Sequence, residues 1–226
     1  MGWGSPAKMM SEAELETLLR EVRACRVCAD ALPLGPRPVV RGRLSARIMI
    51  ISQAPGTKVH ATGLSFNDRS GDVLRAWLGI DRESFYDERR IAIVPMGFCY
   101  PGRDKGGGDL PPRKECAPLW QARLAGAYAN ARLKILAGSY AINWHLAGRT
   151  KATMGATVKA WCDYLPEYFV LPHPSWRNVL WVRKNPWFEA ELLPELRARV
   201  GTVLAEVEGE PPRHQDTKKE SALRVS

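Results

Sequence analysis

Four short apolar runs alternate with helical segments along this chain, and that alternation restricts the possible folds more than any other feature. The runs are predicted to be strands at residues 46–52, 91–96, 133–137 and 168–172. The segments between them are predicted to be helices at residues 72–78, 116–128, 138–146 and, with a weaker pattern, 155–163. Buried strands that alternate with helices indicate a sheet covered on both faces. The sequence therefore predicts a three-layer α/β/α domain around a central, mostly parallel four-stranded sheet.

The predicted domain has a helical segment at each end. Ser11 and Glu14 fit a capping box, and the leucines that follow give the first helix one apolar face. After the last strand, residues 179–184 and 187–206 are predicted to be helical, and Pro186 is placed to begin the second of these helices. The resulting division is a flexible lead at residues 1–10, one domain at 11–207 and a disordered tail at 208–226.

The charge balance points to a phosphate-rich partner. Lysine and arginine number 33 and aspartate and glutamate 24, so the net charge is 33 − 24 = +9. Neutralising phosphates releases counterions, which favours nucleic acid as a partner, although many basic proteins bind none. No stretch approaches the roughly 20 apolar residues of a membrane-spanning helix, and residues 1–8 lack the apolar core of a signal peptide. We therefore expect a monomeric cytoplasmic protein with no membrane partner.

Four of the five cysteines fall into two groups. Cys25 and Cys28 form a CxxC pair, and Cys99 and Cys116 lie on either side of a long loop rich in glycine and proline. Four thiolates from two loops can bind zinc tetrahedrally or hold a [4Fe–4S] cluster, and the spacing does not choose between them. Four unrelated thiols are the alternative. Cys162 stands alone before a strand and is interpreted as a small core residue.

Two loops with chemically useful side chains follow predicted strands. Ser52 to Gly56 follows the first strand, and His173 to Asn178 follows the last. Ligands of open α/β sheets bind at the carboxyl ends of the strands. Although the two loops lie far apart in sequence, we expect them to face one pocket.

The order of these motifs resembles the uracil-DNA glycosylase superfamily and, within it, the iron–sulfur branch. The first family motif corresponds to Gln53-Ala54-Pro55-Gly56, followed by Gly63-Leu64-Ser65-Phe66 and by Ser70-Gly71 at the start of a helix. The second corresponds to His173-Pro174-Ser175. The resemblance covers residues 12–205 and places Cys25, Cys28, Cys99 and Cys116 where this branch holds a [4Fe–4S] cluster, with zinc as the alternative. It implies a structural cluster and a DNA partner that contains uracil.

The resemblance also implies roles for individual residues. His173 would donate a hydrogen bond to O2 of the departing base, and Phe66 would stack on the flipped base, with core packing as its alternative. Gln53 and Ala54 would line the base and the attacking water. Trp176 and Arg177 would enter the duplex or hold phosphate. The remaining residues assigned to substrate binding are Gly56, Ser175 and Asn178, and for Asn178 we rate capping of the following helix above base contact.

The sequence departs from the family pattern in two places. Residues 53 and 54 supply neither the acid nor the Asn that orients water in many members, and residues 94–98 contain no Asn to read the uracil edge. We therefore expect main-chain groups to read the base and a pocket less strict for uracil. His60, expected to face the pocket, and Asp68, the nearest acid, are candidates to activate water. His60 has a surface position as its alternative, and Asp68 has helix capping or pairing with Arg69.

Together these features predict a monofunctional glycosylase that hydrolyses the N-glycosidic bond of uracil in DNA, with other deaminated bases as further candidate substrates. Two other functions stay open. A catalytically silent DNA-binding module would keep the scaffold and the metal cluster without base release. A small redox protein would use the cysteines for electron transfer.

Overall fold

The computed structural model describes residues 10–209. The predicted flexible lead before residue 10 and the predicted disordered tail from residue 210 onward lie outside the described residues. Residues 208 and 209, which the sequence pattern assigns to the tail, belong to the last helix.

The described chain alternates strands and helices in the predicted order. The strands are β1 (Ile48–Ser52), β2 (Ile91–Pro95), β3 (Leu133–Ala137) and β4 (Phe169–Leu171). The helices before β3 are α1 (Glu12–Ala24), α2 (Thr57–Thr62), α3 (Arg69–Leu78), α4 (Arg82–Tyr86) and α5 (Cys116–Ala127). The helices after β3 are α6 (Ser139–His145), α7 (Met154–Lys159), α8 (Val179–Lys184) and α9 (Leu193–Gly209). A π-helical turn at Phe188–Leu192 leads into α9, so the single predicted helix at 187–206 is divided in two.

The four strands form one sheet in the order β2-β1-β3-β4, and every pairing in it is parallel. Ile50 of the central strand pairs with Ile93 on one side and with Ile135 on the other. All five residues of β1 are buried, as expected for a strand covered on both faces. The predicted fold class is confirmed, with a fully parallel sheet among the described residues.

Helices cover the sheet in two sets. Helix α1 begins with the predicted capping box, in which the Glu14 amide donates to Ser11 Oγ and the Ser11 amide donates to the Glu14 carboxylate. Helix α1 packs against α5, whereas α3 packs against α9. Because strand order reverses direction after β2, right-handed crossovers place these two pairs on opposite faces. No helix in residues 10–209 is long and apolar enough to span a membrane.

Two local features differ from the sequence interpretation. The weak helical pattern at 155–163 is α7 followed by a separate 3₁₀ turn at Trp161–Tyr164. Cys162 lies in that turn and is exposed, so its interpretation as a core residue is wrong.

Because all strands are parallel, the loops after β1 and β4 emerge at the same edge of the sheet.

Candidate active site

A cavity of about 400 Å³ lies at the carboxyl ends of the strands, where the two loops meet. Nine of the residues assigned to the site from sequence line this cavity. These nine are Gln53, Ala54, Gly56, Phe66, Asp68, His173, Ser175, Trp176 and Arg177. The expectation of one pocket shared by both loops is confirmed by this arrangement.

His173 is fixed by the turn that follows β4. Its carbonyl oxygen accepts hydrogen bonds from the Ser175 amide at 2.8 Å and from Asn178 Nδ2 at 2.7 Å. Gly138 follows β3 with a φ of +96°, and a Cβ atom there would lie 3.0 Å from the Cβ of His173. A glycine is therefore needed for both the backbone conformation and the close approach. The side chain of His173 is held at the edge of the cavity by backbone contacts on two sides.

Asn178 supports the histidine and does not cap α8. It occupies the position before the helix, but its side chain makes no capping hydrogen bond. The amide group is already used to hold the His173 carbonyl oxygen. The expectation of helix capping is therefore wrong. Asn178 also lines a second cavity of about 580 Å³, which adjoins the first through Gln53 and His173.

The environment of His173 keeps its imidazole neutral. Burial lowers the pKa of His173 to about 4, and the nearby negative charge of Asp68 only partly opposes this. The solvent-exposed surface of His173 is intermediate, because the residue lines the cavity while protein surrounds the rest of it. At neutral pH the imidazole carries one N–H donor and no net charge. Such a group can stabilise an oxyanion without first binding a proton.

Phe66 lines the cavity, and its backbone is strained. Its φ is +56°, a left-handed value that residues other than glycine rarely adopt. Its carbonyl oxygen accepts a hydrogen bond from Arg75 Nη1 at 3.4 Å, and its ring meets the edge of Phe85 with 6.0 Å between the centroids. The ring is 8% exposed, so it packs in the core and also presents a surface to the cavity.

Asp68 caps helix α3 and also lines the cavity. Its Oδ1 accepts a hydrogen bond from the Gly71 amide at 3.0 Å, which caps α3. The capping interpretation is therefore confirmed. The same side chain also lines the cavity, and its other oxygen is directed toward Gly56.

His60 does not line the cavity, so the expectation that it faces the pocket is wrong. Residues 57–62 form α2, in which successive side chains point about 100° apart. Thr57, Lys58 and Val59 of that helix line the cavity, whereas the ring of His60 lies 6.2 Å from the ring of Tyr100. His60 therefore packs beside Tyr100 and is not part of the cavity lining.

Trp176 and Arg177 form the outer wall of the cavity. Trp176 is 78% exposed, so its ring is available to contact a bound ligand. The Arg177 guanidinium lies 5.6 Å from the centre of the Trp176 ring. On its other side Arg177 contacts Gly108 so closely that a Cβ atom there would lie 2.0 Å from Nη2. Arg177 therefore links the loop after β4 to the loop after β2.

The loop after β2 supplies two charged residues that the sequence interpretation did not assign to the site. Arg103 and Asp109 both line the cavity. The signal that could have identified them is the length of this loop, because long loops without regular structure are often functional. Sequence alone does not show that the loop folds back over the carboxyl end of β1.

The four cysteines assigned to a metal cluster lie near one another, away from the cavity lining. Cys99 and Cys116 are buried, and Cys25 and Cys28 are partly buried. Burial raises the pKa of Cys116 to about 12, and the charges of the other three thiols add to the effect. Within residues 10–209, no group of three or more His, Cys, Asp or Glu side chains is arranged as a metal site. The four thiols are close enough for the charges of Cys25, Cys28 and Cys99 to act on Cys116.

A family model for the uracil DNA glycosylase superfamily matches residues 39–197. The matched range begins before β1 and ends within α9, so it contains the complete sheet and both loops that carry Phe66 and His173. The CxxC pair at residues 25–28 precedes it. The match covers well over half of the chain and coincides with the parallel sheet and the cavity at its carboxyl edge. The chain therefore belongs to the uracil DNA glycosylase superfamily.

Proposed function

We propose that this protein is a monofunctional DNA glycosylase that removes uracil from DNA by hydrolysing the N-glycosidic bond and leaving an abasic site. Membership of the superfamily supports a glycosylase in general. The observation that carries the finer assignment is a neutral His173 at the edge of a cavity that Phe66 also lines. A hydrogen-bond donor and an aromatic surface in one cavity suit a planar base that departs as an anion.

The reaction places different demands on the two ends of the scissile bond. The target base must leave the duplex stack and enter a pocket, where an aromatic ring can stack on it. Phe66 supplies that ring. As the bond breaks, negative charge develops on the base and positive charge on the sugar. The imidazole N–H of His173 stabilises the charge on the base O2, and the low pKa of His173 keeps that donor neutral.

The water and the base edge are contacted by the loop after β1. Gln53 and Ala54 line the cavity, and the Gln53 carbonyl oxygen is fixed by the Gly97 amide at 2.9 Å. Asp68 contributes a carboxylate to the same cavity. Residues 94–98 carry no Asn to read the uracil edge, so main-chain groups must read the base. Other deaminated bases are therefore also proposed as substrates.

Duplex DNA is bound at the outer wall of the cavity. The exposed Trp176 ring fills the space that the flipped nucleotide leaves, and Arg177 holds a phosphate beside it. The net charge of +9 supports attraction to the DNA backbone.

A [4Fe–4S] cluster held by Cys25, Cys28, Cys99 and Cys116 is part of this proposal, with zinc as the alternative. Four closely placed thiols that repel one another when ionised form a donor set that a metal cluster would stabilise. Such a cluster would stabilise the fold, because it would join the segment after α1 to the loop before α5. None of the catalytic steps above depends on it.

The test is base release from uracil-containing oligonucleotides, single- and double-stranded, followed by alkali to break the strand at abasic sites. We expect His173→Ala to lower the single-turnover rate by about 10²–10³-fold, the typical loss when one oxyanion donor is removed. His145→Ala is the matched control, because burial also lowers the pKa of His145 to about 4, yet that residue lies outside the cavity lining.

Three results would contradict the proposal in different ways. DNA binding without any base release would identify a silent DNA-binding module. Strand breakage without added alkali would show a lyase step. Equal rates for His173→Ala and the wild type would refute the role of the histidine alone.

A further inference from the structure

The loop after β2 contains an ordered hairpin at residues 102–110, here called the 102–110 hairpin. The Leu110 amide donates to the Gly102 carbonyl at 2.9 Å, and the Asp104 amide donates to the Gly108 carbonyl at 2.7 Å. The Asp104 side chain accepts from the Gly108 amide at 2.9 Å. These hydrogen bonds fix the hairpin, and Arg103 and Asp109 stand opposite each other in an antiparallel bridge.

The hairpin brings Asp109 to the same place as Asp68. A Cβ atom at Gly56 would lie 3.4 Å from Asp109 Oδ2 and 3.9 Å from Asp68 Oδ2. Gly56 therefore leaves open a small space toward which two carboxylates converge. Both acids line the cavity that also contains His173. Residues 53 and 54 carry no acid, whereas Asp68 and Asp109 bring two carboxylates to the same cavity from other segments.

The surroundings of Asp109 favour a carboxylate that can bind a proton. Burial raises the pKa of Asp109, while the positive charges of Arg103 and Arg177 oppose the increase. Arg103 Nε lies 3.9 Å from Asp109 Oδ1, and Arg103 is also held by Thr57 Oγ1 at 3.3 Å. The charged groups that act on Asp109 come from the hairpin, from the loop after β4 and from the cap of α3, namely Arg103, Asp104, Arg177 and Asp68.

We propose that Asp109 is a catalytic residue that positions the attacking water and accepts its proton. The inference rests on the proposed glycosylase function and adds a residue from the 102–110 hairpin to it. In the reaction the water oxygen bonds to C1′ of the deoxyribose. The C1′–N bond breaks, and its electron pair leaves with the base. The water proton passes to the Asp109 carboxylate and then to the released base anion or to solvent.

Asp68 is less suited to the same role. One of its oxygens is already used to cap α3, so proton transfer to this group would compete with the helix cap. Its remaining negative charge faces the cavity, where it stabilises the positive charge that develops on the sugar. Two carboxylates in different environments can thus take two different roles, as in other glycosidic hydrolyses.

The test compares single-turnover uracil release by the wild type, Asp109→Asn and Asp109→Glu. Removal of the carboxylate should lower the rate by about 10²-fold, within the range of general-base catalysis. Asp109→Glu should recover part of this loss because it restores a carboxylate. Asp163→Asn is the matched control, since it also removes one carboxylate, which pairs with Lys151 and lies outside the cavity lining. Its rate should stay within about threefold of the wild type.

The pH dependence separates proton acceptance from a structural role. The wild-type rate should fall as the pH drops through the raised pKa of Asp109, because a protonated carboxyl cannot accept the water proton. This fall should be absent in Asp109→Asn, while binding to an oligonucleotide with an abasic-site analogue should be unchanged.

Three outcomes would overturn the inference. If Asp109→Asn keeps the wild-type rate and pH profile, the inference fails and the glycosylase function stands. If the acid-side fall persists in Asp109→Asn and disappears in Asp68→Asn, the proton acceptor is Asp68. If the wild type releases no base from any substrate, the proposed function itself fails and the inference with it.

Discussion

Gly71→Ala is expected to damage the candidate active site through the backbone of Phe66. Gly71 lies in the first turn of α3 and packs against the strained backbone of Phe66. A Cβ atom at residue 71 would lie 1.7 Å from the Phe66 carbonyl oxygen and 2.7 Å from its carbonyl carbon. Because the clash is with backbone, no rotation of a side chain can relieve it.

The size of the effect follows from these distances. Real Cβ contacts are essentially never below 3.0 Å, so the oxygen at 1.7 Å must move by at least about 1.3 Å. The buried Arg75 holds that oxygen, so the shift also disturbs a buried charge. Overpacking of this kind costs about 3 kcal/mol in the free energy of unfolding. Displacing the Phe66 ring, which we propose stacks on the base, by about 1 Å should lower the rate of base release by about 10²-fold.

Gly126→Ala is the matched control for this prediction. Gly126 is also a helical glycine, in α5, but a Cβ atom there would meet nothing within 4 Å. This variant should gain up to about 1 kcal/mol from helix propensity and release uracil at the wild-type rate. Stability is measured by urea unfolding and activity by single-turnover base release. If Gly71→Ala matches Gly126→Ala in both measurements, the contact with Phe66 does not fix the site.

Two further predictions concern the cysteines and the buried histidine outside the cavity. The proposed [4Fe–4S] cluster predicts that Cys25→Ala loses bound iron, visible absorption and stability together, whereas Cys162→Ala, which changes an exposed thiol, loses none of them. A Cys25→Ala protein that keeps its iron and its colour would refute ligation by that residue. His145→Gln tests acid sensitivity. Burial lowers the pKa of His145 from about 6.5 to about 4, so its contribution to stability is present above pH 6.5 and is lost as the pH falls toward 4. Between pH 7 and 4.5 the wild type should therefore lose about 2 kcal/mol more than His145→Gln in urea unfolding, and equal losses would show that His145 does not titrate in this way.

The strands and the two loops that follow β1 and β4 were predictable because their signals are local. An apolar run such as Ile48–Ser52 is buried wherever it pairs, and Ile91–Pro95 ends at the proline that lacks an amide donor. The parallel arrangement follows from the alternation of strands with helices. Parallel strands then place their carboxyl ends together, which is why the loops at residues 52–56 and 173–178 could be expected to line one cavity. The role of Phe66 came from the resemblance to the superfamily.

The roles of His60 and Asn178 depended on local geometry that the sequence pattern does not specify. His60 lies only four residues from Gly56, yet its ring lies beside Tyr100 and outside the cavity lining. Asn178 occupies a capping position, but the nearby His173 carbonyl oxygen is its hydrogen-bond partner. In both cases the residue type and its position in the motif were correct, and the direction of the side chain was not.

Hydrophobic periodicity was enough to predict the parallel α/β fold and two loops at the carboxyl edge of its sheet, and the resemblance of the motifs to the superfamily supplied the roles of His173 and Phe66. Asp68 was a candidate from its place in the motif, whereas the position of Asp109 in the cavity depends on the tertiary structure. Asp109 lies more than fifty residues from Gly56 in sequence, and its oxygen reaches that glycine because the 102–110 hairpin folds back across the end of β1. Such an approach depends on packing between distant segments, which no local pattern encodes.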